Sequence, residues 1–360
     1  MKKIKFKTTL FFSSILLLAL ILVACGPAAT PAPTDEPAPT DPPAAVEEPA
    51  EPTATTALEE QSDEANDTLR MALLPVLDVL PFFIAQEQGY FEEEGVTVVF
   101  LPVSSALERE QLFVAGEADG MLTDVIGPAI TNANAAEGST VKIVATARQV
   151  VEDGPLFRLL ASPGSEVTSP EDLAGVAIGV SENSVIQYLG DRLLEDAGLT
   201  PDQIVYESVP SIPNRFGLMM EGQLGAAILP DPLAQAAIEA GAILVLEDTI
   251  VVEDELSQSV LSFSTIVLEE KPEAVQAFLR AWNRAVEDLN TDSDSFRQLW
   301  LDSTNVPESV QDTYVIPPFP QGAITSEAVW DDVNEWLIGR EIIDEAASYE
   351  SSVTVEYLTE

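Results

Sequence analysis

The sequence predicts an α/β fold divided into two lobes. From residue 69 onward, short β-rich runs alternate with amphipathic helical segments, the pattern of chains whose helices cover a sheet. The part of the chain from 69 to 360 is long enough for two lobes of ordinary domain size. Hydrophobic residues make up 46% of the chain, so we expect each lobe to bury a core.

The first half supplies four predicted strands and two predicted helices. The strands cover 69–74, 96–101, 120–123 and 141–147, and the helices cover 80–93 and 105–115. Gly95 and Gly116 follow the two helices, where a residue in the left-handed conformation commonly ends a helix. These positions support the predicted helix ends.

The second half repeats this alternation and then becomes mainly helical. Its strands are predicted at 176–180, 204–209, 225–229, 242–246 and 257–268, with helices at 184–197 and 231–240. A long helix is predicted to begin at Pro272, followed by helices over 293–301, 307–314 and 326–338. The apolar stripe of the long helix is predicted to lie in the core and consists of Val275, Phe278, Leu279, Trp282 and Val286.

Two short segments, one in each half, are alike. Residues 116–122 and 222–228 both follow the end of a helix with a glycine and then enter a β-rich run. This similarity indicates a weak internal duplication, which fits two similar lobes that face one cleft.

The N-terminal residues predict export and lipid attachment. Four lysines within the first seven residues precede an apolar run over 10–24, which is shorter than the roughly 20 residues of a membrane span and suits a signal peptide at 1–24. Cys25 follows small residues in a pattern that resembles a bacterial lipobox, and as the sole cysteine it cannot form an internal disulfide. We expect Cys25 to carry fatty acyl chains that anchor the protein to the cell membrane.

Residues 25–68 begin with this lipidated cysteine and continue as a predicted disordered tether. The segment is rich in Pro, Ala, Thr and Glu and contains few large apolar side chains, so it cannot bury enough surface to fold. Its prolines favour an extended form that would hold the folded part away from the membrane.

The charge of the chain excludes one class of partner. The formal net charge is −45, with 61 acidic and 16 basic residues. Nucleic acids and anionic lipid surfaces are bound by basic patches, so no nucleic-acid partner is expected. We interpret the acidic residues as a solvated surface.

Four segments in order resemble one family of binding proteins. Residues 81–96 contain Gly89-Tyr90-Phe91 followed by Glu94-Gly95, and this segment resembles the opening helix of the periplasmic-binding proteins for nitrate, sulfonates, taurine and the thiamine pyrimidine precursor. Further matching segments lie at 112–119, 170–175 and 269–281. The resemblance covers nearly all of 69–360.

The resemblance implies a periplasmic-binding-protein type II fold in which each lobe is a mixed sheet flanked by helices. Lobe 1 is then expected at 69–156 and 266–360, and lobe 2 at 157–265. The implied function is to bind a small organic solute between the lobes, for example a sulfonate, a taurine-like compound or a pyrimidine. Hinge closure would then present the protein, as a monomer outside the cytoplasm, to an ABC permease and its ATPase.

The candidate ligand contacts lie in the loops that follow the strands. Ligands of open α/β sheets collect beyond the carboxyl ends of the strands, where loops lead into helices. The residues selected on this basis are Asp78, Phe82, Ser104, Ser105, Thr123, Asp124, Arg148, Ser181, Asn183, Ser184, Tyr188 and Asp231.

Part of this set favours an anionic ligand. Residues 181–184 form a polar loop at a helix start, where free amides and the helix dipole attract negative charge; N-capping by Ser181 or Ser184 is the alternative. Arg148 could hold a carboxylate or sulfonate, or instead form a surface ion pair.

Other members of the set favour different chemistry. Asp78, Asp124 and Asp231 could bind amino groups, although Asp231 precedes Pro232 and could simply cap a helix. The aromatic candidates at 82 and 188 could stack on a ring or lie in the core. We expect a small organic solute with one anionic group.

Catalysis is not expected from the residue types present. The chain has no histidine, which excludes His-dependent triads and His-ligated zinc, and its one cysteine is assigned to the lipid. The resemblance includes eukaryotic proteins that make the thiamine pyrimidine with a histidine, so their chemistry is not expected here, and neither a cofactor nor a metal ion is expected. A carboxylate-dependent exported hydrolase remains open. So does a surface or sensory binding protein, although no output domain precedes Glu360.

Overall fold

The computed structural model describes residues 67–135 and 140–358. The predicted signal peptide, Cys25 and the tether up to residue 66 lie outside the described residues. Within those ranges no helix is both long and apolar enough to cross a membrane.

Ten strands and twelve α-helices make up this part of the chain. The strands are β1 Thr68–Leu73, β2 Thr97–Pro102, β3 Gly120–Thr123, β4 Val141–Gln149, β5 Phe157–Ala161, β6 Ala177–Val180, β7 Val205–Ser208, β8 Ala226–Pro230, β9 Ile243–Glu247 and β10 Gln258–Ser264. The helices of the first half are α1 Leu80–Glu87, α2 Tyr90–Glu93, α3 Ala106–Val114 and α4 Ile126–Asn134. Those of the second half are α5 Val185–Asp196, α6 Ile212–Met220, α7 Leu233–Glu239, α8 Thr265–Glu270, α9 Pro272–Thr291, α10 Arg297–Ser303, α11 Glu327–Gly339 and α12 Tyr349–Ser352.

The strands form two sheets with the same arrangement. The first has the order β2-β1-β3-β10-β4 and the second the order β7-β6-β8-β5-β9. In each sheet the first three strands are parallel, and the fourth is antiparallel to both of its neighbours. The prediction of an α/β fold with mixed sheets flanked by helices is therefore confirmed. The two similar segments at 116–122 and 222–228 lead into β3 and β8, which occupy the same position in the two sheets.

The chain returns to the first sheet earlier than the predicted boundary at 265. Because β10 pairs with β3 and β4, residues 258–264 belong to the first sheet. The predicted strand over 257–268 also ends early, since the Ser264 hydroxyl accepts from the amide of Val267 at 3.2 Å and begins α8.

Two predicted helices also differ from the structure. The helix at 80–93 is divided into α1 and α2 at Gly89, whose φ of +77° interrupts the helical path. The predicted helix at 307–314 is only a single 3₁₀ turn over Glu308–Val310. The predicted stripe of α9 is buried as expected.

The C-terminal helices join both halves of the fold. Helix α9 packs with the aromatic side chains beside the first sheet, where the ring of Phe278 lies 5.5–5.7 Å from those of Phe82, Phe91 and Phe263. Helix α11 instead contributes Trp330 and Trp336 to the core that surrounds α5. The last part of the chain therefore secures both sheets.

The two connections between the sheets meet at Asp248. This fully buried carboxyl group accepts from the amides of Leu156 and Phe157 at 3.0–3.2 Å, on the first connection. It also bonds to the hydroxyl of Ser257, on the second connection. Burial raises the pKa of Asp248 to about 7. A single side chain thus fixes the relative position of the two connecting segments.

The aromatic cluster around α9 is predicted to carry a large share of the stability. Phe278→Ala should lower the free energy of unfolding by about 3–5 kcal/mol, because it removes a buried ring and leaves a cavity among three others. Urea denaturation followed by circular dichroism measures this change. Leu107→Ala at an exposed helical position is the control and should change stability by less than about 0.5 kcal/mol. Equal effects of the two substitutions would contradict the assigned packing.

Asp248 is predicted to make stability depend on pH. An unfolded aspartate loses its proton near pH 3.9, whereas the folded one keeps it up to about pH 7. Its contribution to stability therefore falls as pH rises between these values, by up to about 1.4 kcal/mol per pH unit, and is constant above them. Denaturation between pH 4 and 8 should show a flatter profile for Asp248→Asn than for the wild-type protein. The exposed Asp202→Asn should keep the wild-type profile, and a D248N profile that also matches it would contradict the assignment.

Candidate functional site

A cleft lies where the carboxyl ends of the parallel strands of both sheets meet. Its volume is about 760 Å³, including space open to solvent. It is lined by loops after β1, β3, β6 and β8, together with α6 and the start of β10. Most of the lining is apolar, with a few buried polar side chains, as is usual for sites that bind small molecules. This cleft is the candidate functional site.

The structure brings most of the predicted site residues together in this cleft. Those that line it are Asp78, Thr123, Asp124, Arg148, Ser181, Ser184 and Asp231. Ser104 instead lines an adjoining groove of about 1010 Å³ that also contacts the loop after β8. Ser105, Asn183, Phe82 and Tyr188 line neither space.

Arg148 and Asp78 form a buried ion pair at one side of the cleft. Arg148 lies within β4, and its Nη1 donates to Asp78 Oδ1 at 2.8 Å. Burial alone would lower the pKa of Arg148, but the Asp78 carboxylate outweighs it and the pKa is raised. Arg148 is therefore a fixed cation whose charge is already matched, and the ion pair is buried rather than on the surface. Its Nε and Nη2 have no hydrogen-bond partner among the described residues.

A second charged group consists of Asp124, just after β3, and of Arg109 and Glu110 on α3. The carboxylate of Asp124 accepts from the amides of Ile126 and Gly127, the first two residues of α4, at 2.9 and 3.1 Å. Arg109 contacts Asp124 at 3.5 Å and Glu110 at 3.1 Å. This arginine is therefore also balanced by carboxylates.

The serine loop after β6 combines capping with exposure to the cleft. The Ser184 hydroxyl accepts from the amide of Ile186 at 3.3 Å and donates to the carbonyl of Ser181 at 2.7 Å. Ser184 thus caps α5, as the alternative interpretation held, while both serines still line the cleft. Asn183 is turned to the exposed side of this loop.

Asp231 presents an acceptor at the end of β8. Its Oδ2 accepts from Arg158 Nη2 at 2.9 Å and from the Tyr314 hydroxyl at 3.4 Å. Its Oδ1 is buried without a hydrogen-bond partner among the described residues. Burial raises the pKa of Asp231 above its usual range, although Arg158 and Arg148 oppose the rise. The unmatched oxygen can accept a hydrogen bond from a ligand.

The aromatic candidates lie in the core. Phe82 packs against Phe100, Phe278 and Trp282. Tyr188 packs on Trp336 and hydrogen-bonds to Asp332 of α11. Ser105 caps α3 by accepting from the amide of Glu108 at 3.2 Å. Ligand contact by these residues remains a prediction that the geometry of the cleft does not favour.

Sequence reasoning missed an arginine on α6. Arg215 lines the cleft and is fully buried, with Nε donating to the carbonyl of Ile228 at 2.9 Å and Nη1 to that of Val209 at 2.7 Å. The available signal was a single arginine in the mostly apolar segment 212–220, in a chain with few basic residues. Ser259, at the start of β10, is a further missed lining residue.

The structure contains no evident metal site in the part of the chain that it describes. Across residues 67–135 and 140–358, no group of three or more His, Cys, Asp or Glu side chains could hold a metal ion.

Solved structures of binding proteins share this fold. The alkanesulfonate-binding protein SsuA from Xanthomonas axonopodis pv. citri, bound to MOPS, superposes with a TM-score of 0.68 at 17% identity. The superposition covers 80% of this chain and 98% of that one. The expected periplasmic-binding-protein fold is confirmed.

Relatives recognised by sequence include both a binding protein and enzymes. The riboflavin-binding protein RibY of Chloroflexus aurantiacus is 24% identical over 268 residues, 70% of each chain. A 4-amino-5-hydroxymethyl-2-methylpyrimidine phosphate synthase of Candida albicans is 26% identical over 301 residues, 78% of this chain and 84% of that one. The Saccharomyces cerevisiae synthase THI13 is 30% identical over 162 residues, and this chain spans 44% of its length.

These synthases contradict the prediction that the chain is not an enzyme. That prediction relied on the lack of histidine and of a free cysteine, but relatives that align with 78% and 59% of this chain are named as enzymes. Residue types alone do not separate binding from catalysis in a fold that hosts both. The prediction was therefore wrong.

The family itself follows from a match that spans both sheets. Residues 77–294 match the family described as NMT1/THI5 like. This range contains the loops after β3, β6 and β8 that line the cleft, together with Arg148, Arg215 and Asp231. The expected family resemblance is confirmed, and the chain belongs to the NMT1/THI5-like family.

Proposed function

We propose that this protein binds a small organic solute in the cleft between its two lobes and delivers it to an ABC importer outside the cytoplasm. The observation that carries the proposal is the cleft itself. Buried polar side chains from both sheets converge there, and several of their atoms have no partner among the described residues. Such atoms are costly to bury unless a ligand or water completes their hydrogen bonds.

The hinge supports a transport role. Transport by this mechanism needs a closed form that differs in shape from the open form. The two connecting segments that meet at Asp248 link the sheets, so closure would require the backbone to rotate at these segments. Loops that line the cleft come from both sides of this hinge, so a solute bound to both would favour closure.

The comparisons support the class of solute. SsuA is named for alkanesulfonates and RibY for riboflavin, whereas the synthase relatives are named for a pyrimidine phosphate. These compounds are small, and all of them are polar. They support the expected sulfonate, taurine-like or pyrimidine solute.

The same proposal includes the placement of the protein. Export by the signal peptide at 1–24 and acylation of Cys25 would hold the lobes at the outer face of the cell membrane, near a permease. The partners are then the solute, the permease with its ATPase, and the membrane through the lipid.

The second candidate function is an enzyme that acts on a small heterocycle in the same cleft. The synthase of Candida albicans, which aligns with 78% of this chain, is the observation that favours it. Both functions require a bound solute, so they differ in whether that solute is released unchanged.

The predicted outcome for a binding protein is ligand-dependent stabilisation without turnover. A solute at 100 times its Kd should raise the free energy of unfolding by about 2.7 kcal/mol, because it binds only the folded state. A thermal-shift screen of the purified protein with sulfonates, amino acids, pyrimidines and flavins would find it. Mass spectrometry of the recovered solute should show an unchanged mass.

Closure gives the second readout of this experiment. Small-angle scattering should show a smaller radius of gyration when the stabilising solute is present. A solute recovered with a changed mass would support the enzyme instead. If no compound shifts the melting curve and the scattering never changes, the proposed function is contradicted.

A further inference from the structure

Three arginines line the cleft, and their partners distinguish them. Arg148 pairs with Asp78 at 2.8 Å, and Arg109 lies at 3.1–3.5 Å from two carboxylates. Arg215 contacts only the carbonyl oxygens of Val209 and Ile228. Among the described residues it is the cleft arginine without a carboxylate in ion-pair range.

The burial of Arg215 makes the lack of a carboxylate partner destabilising. The residue is 0% exposed, and its Nη2 has no hydrogen-bond partner in the described part of the chain. Burial lowers the pKa of Arg215 to about 10, which still leaves the side chain positively charged at neutral pH. A buried charge without a counter-charge destabilises a protein by several kcal/mol.

The neighbouring sequence keeps space for this side chain. A side-chain carbon added at Gly179 of β6 would lie 2.6 Å from Leu224 and 3.1 Å from the Cγ of Arg215. The two carbonyl bonds fix two nitrogens of the guanidinium, so the remaining Nη2 is held in one position. Helix α6 also begins at the cleft with Ile212, which adds the positive end of its dipole to the same region.

We infer that Arg215 binds an anionic group of the solute, such as a carboxylate, sulfonate or phosphate, through its unmatched Nη2. This inference rests on the proposed function and names the ligand class for the same cleft. The ligand anion supplies the counter-charge that the protein omits, and charge-assisted hydrogen bonds to a guanidinium are strong and directional. Arg148 also has two unmatched nitrogens, but Asp78 already balances its charge, so the anionic group is assigned to Arg215.

Asp231 indicates which chemical groups the rest of the solute carries. Its unmatched Oδ1 lies in the same cleft and accepts hydrogen bonds, so it would repel a second anionic group and favour an N–H or O–H donor. The solute class is therefore an anion whose remaining portion carries a donor and an apolar or ring surface.

The test compares anions with uncharged partners of the same shape. The probes are benzenesulfonate with benzenesulfonamide, benzoate with benzamide, pyrimidine phosphate monoesters with their alcohols, and flavin mononucleotide with riboflavin. Their Kd values are measured by titration calorimetry for the wild-type protein, Arg215→Met and Arg297→Met. Arg297 is the matched control because it also donates to two carbonyl oxygens but does not line the cleft.

We expect at least one anion to bind the wild-type protein more tightly than its uncharged partner. Arg215→Met should raise the Kd of that anion about 30-fold or more, because it removes a buried charge partner. The Kd of the uncharged compound should change by less than about threefold. Arg297→Met should leave both values unchanged. If circular dichroism shows that R215M does not fold, Arg215→Lys replaces it. This variant should raise the Kd of the anion alone about tenfold, because lysine keeps the charge but lacks the planar set of guanidinium donors.

Two results would overturn the inference while leaving the proposed function intact. One is that no anion binds more tightly than its uncharged partner, although members of at least one pair bind. The other is equal weakening of both members of a pair by the Arg215 variant, which would mean that this arginine only braces the backbone. A ligand found only in the thermal-shift screen is compared with its uncharged partner in the same way. If neither these probes nor that screen yields a ligand, the proposed function is contradicted and the inference with it.

Discussion

The arrangement of the two lobes depends on a buried carboxyl group that holds both connecting segments. Asp248 accepts from the amides of Leu156 and Phe157 and bonds to Ser257, so the two segments cannot separate without exposing these groups. Burial that raises its pKa to about 7 also means that the group is partly neutral near physiological pH. A fully ionised carboxylate there would lack a cation within ion-pair range in the described structure. The two connecting segments are therefore held together by hydrogen bonds rather than by an ion pair.

The cleft depends on a second constraint, the balance of buried charge. Arg109 and Arg148 each have acidic partners, whereas Arg215 has only carbonyl oxygens, and Asp231 has an unmatched oxygen despite its pair with Arg158. The two kinds of ligand that the sequence suggested, an anion and an amine, are thus compatible. One solute can place its anionic group at Arg215 and a donor at Asp231. The net charge of −45 does not prevent this, because surface charges are screened beyond about 8–10 Å while buried groups act at contact.

The sequence predicted the fold better than the site. The spacing of hydrophobic residues and the glycines that follow helices identified nearly all strands, because both signals depend only on the local sequence. The boundary at residue 265 was misplaced because the sequence of β10 does not indicate which sheet it joins. Its pairing with β3 and β4 assigns it to the first sheet. The expectation that ligands bind beyond the carboxyl ends of the strands located Asp78, Asp124, Ser181 and Asp231 in the cleft, because it depends on topology. It missed Arg215, which lies on a helix after β7 and acquires its role only through burial and the lack of a carboxylate partner.

Binding and catalysis in this family share a physical requirement, so the same cleft can serve either. Both need a solute held in a fixed orientation away from water, which Arg215 and Asp231 can provide. Catalysis additionally needs a group that exchanges a proton with the solute at an accessible pKa. The titratable side chains that line the cleft are carboxyl groups and arginines, so this task would fall to a carboxyl group, and Asp231, whose pKa is raised by burial, has an unmatched oxygen there. A donor on the solute beside Asp231 is therefore a specificity contact for a binding protein and the proton to be moved for an enzyme. The difference between the two functions lies in the reactivity of the solute at that atom rather than in the architecture that holds it.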